Sequence, residues 1–149
     1  MRRLALLGCA LTLVGCAKRE AAPAADTMAA APAAMLSPAD VAGNWTIKVM
    51  GQGSDSVLVT YDMMASNTAE GWTVTLPNRP AMTPKVQFSG DSVIIDLGPY
   101  ESVLRKGVQV TTHSVARMMG GKMMGTAVAH YSAGPDSVRM LRSEGTRKP

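Results

Sequence analysis

The sequence predicts an all-β domain, an antiparallel up-and-down meander of about eight or nine short strands. Three observations carry this. From about residue 39 onward apolar and polar residues alternate with a period of two. The alternating runs are separated by Gly, Pro, Asn and Asp, and no comparable stripe of period 3.6 crosses the region. Strands of this kind bury one face and leave the other in water.

Taken in order, Trp45, Ile47 and Val49 alternate with Thr46, Lys48 and Met50, and Val57, Val59 and Tyr61 alternate with Leu58, Thr60 and Asp62. Trp72, Val74 and Leu76 enclose two threonines, and Val86 and Phe88 bracket Gln87. The tripeptide Asp-Ser-Val recurs at Asp55, Asp91 and Asp136, each time just after a Gly. Gly and Asp serve a turn there, and the Val is expected to open the next strand facing inward.

Turn chemistry sets registers that can be tested against the faces they impose. A two-residue turn at Gly90-Asp91 sets Phe88 opposite Val93, Val86 opposite Ile95, and Lys85 opposite Asp96. A three-residue loop at 52–54 pairs Trp45 with Tyr61, Ile47 with Val59 and Val49 with Val57. A turn at Gly120-Gly121 joins two long strands between Val108 and Tyr131. One face collects Val108, Val110, Thr112, Ser114, Ala116 and Met118 opposite Met123, Gly125, Ala127, Ala129 and Tyr131. The other collects Gln109, His113, Arg117, Lys122, Thr126 and His130. The first face is small and apolar, as in the interior of a small barrel.

The N-terminal segment has a separate logic. Arg2 and Arg3 precede an apolar run, Leu4 to Leu13, far shorter than the roughly 20 residues a helix needs to cross a bilayer. Leu13-Val14-Gly15-Cys16 resembles the lipobox of bacterial lipoprotein signal peptides. A plain secretory signal cut at a small-residue site shares the layout, but Cys16 falls where a lipobox needs it. The resemblance implies cleavage after residue 15, diacylglycerol on Cys16 Sγ and acylation of the new amine, a firm anchor because single chains hold only marginally. Ala17 in place of Asp implies onward transport to the outer membrane. Residues 1–15 are thus expected to be a signal peptide, 16–38 a lipidated Cys with a disordered Ala/Pro-rich linker, and 39–147 the β domain.

Composition narrows the chemistry. Cys9 lies in the leader and Cys16 carries lipid, so no thiol remains for cysteine catalysis, disulfides or Cys-ligated zinc. The formal charge of +4 includes Arg2 and Arg3, and roughly +2 remains without them. The basic residues are scattered, apart from a local excess at Arg139, Arg142, Arg147 and Lys148, so nucleic-acid binding has no support.

Eight or nine strands in one small domain leave exposed edges unless the sheet closes, which favours a small closed or nearly closed barrel. Gly43-Asn44-Trp45 is similar to the Gly-x-Trp that opens the first strand of lipocalins and related calycin barrels. In that superfamily an Arg of the last strand packs across the Trp, and inward-facing Val138 would make Arg142 the counterpart. The resemblance implies binding of a small apolar ligand, with Trp45, Tyr61, Trp72, Tyr131 and Arg142 as candidate contacts. The domain is shorter than a lipocalin and lacks its disulfide.

No catalytic set assembles, since no Gly-x-Ser-x-Gly elbow and no Ser/His/Asp triad can be placed. His113 and His130 are diagonal neighbours about 6–7 Å apart with no carboxylate evidently completing a site. Glu101 faces inward opposite Thr112 if Lys106-Gly107 is a tight turn, and is otherwise a loop carboxylate near Pro99, the preferred reading. The 12 methionines include the doublets Met63-Met64, Met118-Met119 and Met123-Met124. Thioethers suit Cu(I), but adjacent strand residues face opposite ways, and Met124 lies about 13 Å from His113. Each doublet is expected to give one Met to the core.

The resulting expectation is a non-enzymatic outer-membrane lipoprotein with no cofactor and no metal site. Its partners would be the lipid membrane through acylated Cys16, and a small apolar ligand or an envelope protein. Periplasmic copper binding through Met and His is the alternative.

Overall fold

A computed structural model of the chain describes residues 35–149. The expected signal peptide, Cys16 and most of the linker lie outside the described residues. Eight antiparallel strands follow one short helix, α1 (Pro38–Val41). They are β1 (Gly43–Gly51), β2 (Val57–Ala65), β3 (Thr73–Thr75), β4 (Lys85–Ser89), β5 (Ser92–Glu101), β6 (Gln109–Met119), β7 (Lys122–Tyr131) and β8 (Val138–Arg147). The meander is as the alternation predicts. Its spatial order is β3-β2-β1-β8-β7-β6-β5-β4, so the first and last strands pair and the sheet curls into a half-barrel. Its edge strands are β3 and β4, and Met82 of loop 76–84 bridges the outer side of β3 through both backbone bonds with Val74, each 2.8 Å. The two edge strands are not hydrogen-bonded to each other, and Trp72 and Phe88 meet edge-to-face between them with ring centroids 6.2 Å apart.

The Gly90-Asp91 and Gly120-Gly121 hairpins adopt the expected registers, with Phe88 opposite Val93, Lys85 opposite Asp96 and Met118 opposite Met123. The first hairpin differs. Its loop runs over residues 52–56, and Trp45 faces Met63, Ile47 faces Tyr61 and Val49 faces Val59. The slip is two residues, so Val59, Tyr61 and Met63 keep the face that the alternation gives them. A bulge between Val49 and Met50 then brings Met50 opposite Val57. Only one Val of the Asp-Ser-Val repeat points inward. Val93 is fully buried, whereas Val57 and Val138 are 48% and 53% exposed, because only Gly90-Asp91 is a two-residue turn.

The ends of the half-barrel differ. One end holds α1, loop 66–72, both tight turns and the chain's last residues. It is packed shut by Val41, Trp45 and Trp72, each 0% exposed. Pro38 opens α1, and the Asp40 carboxylate accepts from Ser37 N (2.8 Å) and Ser37 Oγ (2.6 Å), which also holds the Asp40 pKa below the usual carboxylate range. Leu36 N donates to Gly90 O at 2.8 Å, so ordered structure begins before residue 39. Each indole donates to a carbonyl four residues back, Trp45 Nε1 to Val41 O and Trp72 Nε1 to Thr68 O, both at 2.8 Å. The methionine doublets divide as expected, with Met63 and Met123 buried while Met64 and Met119 are exposed.

Candidate functional site

The other end carries loops 52–56, 76–84, 102–108 and 132–137, and beneath them lies an interior cavity of about 70 Å³. Its walls are Val49, Val59, Val74, Leu76, Leu97, Val110, Ala127, Ala129 and Leu141. Tyr61, Tyr100 and Tyr131 project into it, joined by Ser102, Thr112 and Ser114. Among the described residues no Asp, Glu, Lys, Arg or His side chain lines it. Burial pushes the Tyr61 hydroxyl well above its ordinary range, and neighbouring Tyr100 adds to the effect. Burial also raises Tyr100, offset in part by a hydrogen bond with Thr112 and by Arg79.

Val103 and Leu104 close the cavity from loop 102–108. This loop is held by its own bonds. Ser102 Oγ accepts from Leu104 N (3.0 Å) and Arg105 N (3.1 Å), and Ser102 N donates to Val108 O (2.8 Å). Arg105 ties it across to loop 132–137, donating to Pro135 O (2.8 Å) and Asp136 O (3.2 Å) while its guanidinium lies 4.1 Å from the Tyr131 ring centroid. Glu101, the last residue of β5, pairs with Gln109, not Thr112, and its carboxylate accepts from Gly107 N at 2.9 Å.

Of the sequence candidates, Tyr61 and Tyr131 line the cavity. Trp45 and Trp72 do not, since both are packed into the closed end. Arg142 is a correction. Because Val138 faces outward, so does Arg142, four residues on. It donates to Ser54 O and the Asp55 carboxylate, pinning loop 52–56 against β8. The arginine that packs across Trp45 is Arg147, opposite it in the ladder, with its guanidinium 4.5 Å from the ring centroid. Arg147 also donates to the carbonyls of Ala42 and Asp40, fastening α1. Gly43 makes room for this, since a Cβ there would stand 2.6 Å from Arg147 Nη1 and its φ is +135°.

Tyr100 escaped the sequence reading for a physical reason. Simple alternation from Leu97 turns residue 100 outward, but a bulge between Leu97 and Tyr100 restores it to the interior. The signal was the Gly98-Pro99 pair, because Pro cannot donate to a ladder and strand glycine marks bulges. On the outer face His113 stands opposite Val128 and His130 opposite Thr111, as expected. Asp96, opposite His113 in the β5–β6 ladder, pairs with it, its Oδ1 lying 2.6 Å from His113 Nδ1. Among the described residues no group of three or more His, Cys, Asp or Glu is placed to hold a metal ion. Met124 stands opposite Arg117, four rows from His113.

No protein-family model, curated protein or solved structure matches this chain.

Proposed function

We propose that this chain is a lipid-anchored outer-membrane lipoprotein, attached through acylated Cys16, whose calycin-like domain binds a small apolar ligand without chemistry. The observation that carries the reading is the interior cavity, apolar in its walls, shut at one end and covered at the other by Val103 and Leu104 of loop 102–108. The Gly43-Asn44-Trp45 segment under Arg147 supports the calycin resemblance independently. A cavity of about 70 Å³ is small beside the roughly 300–1,000 Å³ of ordinary ligand pockets. A ligand larger than a few heavy atoms therefore enters only as Val103 and Leu104 move aside.

Methyl NMR of the mature, unacylated chain tests this directly. Titration with small apolar compounds should shift Ala127, Ala129 and Leu141 and leave Ala116, near the closed end, unmoved. A second reading, docking of an envelope protein, draws on the outer face, where Val138 and Met140 are 53% and 51% exposed. It predicts shifts confined to Val128, Val138 and Met140 on adding envelope extract, with no interior response to any small molecule.

A further inference from the structure

We infer that the interior site selects an uncharged molecule, an apolar body carrying a hydroxyl or carbonyl, and rejects the matching carboxylate. The inference rests on the ligand-binding reading above and concerns what that same cavity recognises. The polar side chains among its lining residues all carry hydroxyls, those of Tyr61, Tyr100, Tyr131, Ser102, Thr112 and Ser114, although Ser102 Oγ already accepts from Leu104 N and Arg105 N. A hydroxyl can donate or accept, so it satisfies an alcohol or a ketone equally well. It brings no charge to offset an ion taken out of water. The Tyr61 and Tyr100 phenols are neutral partners near neutral pH, and burial pushes their ionisation further upward.

The charged groups at the mouth do not supply what an ion would need. Arg105 does not line the cavity; it lies over the Tyr131 ring, and each of its terminal nitrogens donates to a carbonyl of loop 132–137, Pro135 O and Asp136 O. Recruiting it to a carboxylate would break the tie between loops 102–108 and 132–137. Arg79 and Lys106 line shallow clefts outside the cavity, and Arg79 acts on Tyr100 only as a nearby charge. Glu101 is engaged by Gly107 N. A cationic ligand meets the same arginines with no lining carboxylate to hold it. An uncharged head group is what the lining satisfies.

The test uses the acylated full-length protein in phospholipid nanodiscs at pH 7.5, with three matched photoreactive alkyl diazirines bearing an alcohol, a carboxylate or no head group. Labelled peptides are mapped by mass spectrometry, with empty nanodiscs controlling for partition into lipid. The alcohol probe should label peptides of β2, β5 and β7 at inward positions. Unlabelled 1-hexanol should compete at about a hundredfold lower concentration than hexanoate. The head-group-free probe should label about fivefold less than the alcohol, the worth of one net hydrogen bond. Tyr61→Phe and Thr112→Val, both close in volume, should reduce that preference while leaving the melting temperature within a few degrees. Equal or stronger competition by hexanoate overturns the selectivity but leaves the ligand-binding reading standing. Equal labelling by the head-group-free probe overturns recognition through the hydroxyls. Absence of interior labelling by all three probes overturns both the inference and the reading on which it rests.

Discussion

Truncating Trp45 to alanine tests how the closed end is held. The indole is fully buried, its Nε1 bonds to Val41 O at 2.8 Å, and the Arg147 guanidinium lies 4.5 Å from the ring. Removing about 150–200 Å² of buried apolar surface costs about 4–5 kcal/mol at 25 cal/mol per Å², in line with the roughly 3–5 kcal/mol of large aromatic truncations. The Val41 carbonyl loses its partner, worth about 1 kcal/mol, and the ring–guanidinium contact about 0.5–1 kcal/mol. These terms share atoms and do not add fully, so the expected loss is about 4–6 kcal/mol. A domain of this size has about 5–15 kcal/mol in all, and no thiol remains in it to form a disulfide. Urea melts followed by far-UV circular dichroism should show the midpoint falling by several molar or the transition vanishing. Trp45→Phe, which keeps a ring but drops the bond to Val41, should lose about 1–2 kcal/mol and stay measurable if the alanine variant does not fold. A loss below about 1 kcal/mol for Trp45→Ala would refute the reasoning, since a fully buried indole cannot be that cheap to remove.

Four further outcomes follow from the same geometry. Arg147→Gln should cost about 1–2 kcal/mol in the same melts and raise amide exchange in α1. In a Trp45→Phe background its cost should shrink, because the ring contact is already weakened. Cys16→Ala should abolish fatty-acid labelling and block cleavage after residue 15, and a mutant labelled and matured to the native mass would sink the lipoprotein reading. Above pH 10 or so stability should fall, by up to about 1.4 kcal/mol per pH unit through Tyr61, with Tyr100 acting in the same direction. Their folded pKa values are raised, so the unfolded chain ionises first and the full stability is present only below the unfolded value; absorbance at 295 nm should show Tyr61 ionising only as the fold melts. Arg105→Gln should loosen loop 102–108, read as faster amide exchange at Ser102 and Val108 with the global melt changed by less than about 1 kcal/mol, as for a largely surface contact.

What the sequence alone determined is local. The period of two, the Gly90-Asp91 and Gly120-Gly121 turns, and the facing pairs Phe88/Val93 and Met118/Met123 depend on residues close together in the chain. Their geometry follows from the alternation of side chains and the φ freedom of glycine. The same logic put Tyr61 and Tyr131 inside. Tertiary structure decided whatever depends on counting across a longer loop, across a bulge, or between distant strands. A slip of two residues in the β1–β2 hairpin preserves the faces of residues 59–65, so the alternation there could not separate the expected register from the observed one, and the bulge that turns Val57 outward shows only in the ladder. The bulge before Tyr100 reverses the alternation, and only the ladder with β6 shows that it does. Which arginine covers Trp45 depended on the phase with which β8 enters after loop 132–137, and that phase is set by the pairing of β8 with β1 and β7. The size of the cavity was beyond any sequence pattern, because it is the small difference between the volume the curled sheet encloses and the volume its side chains fill.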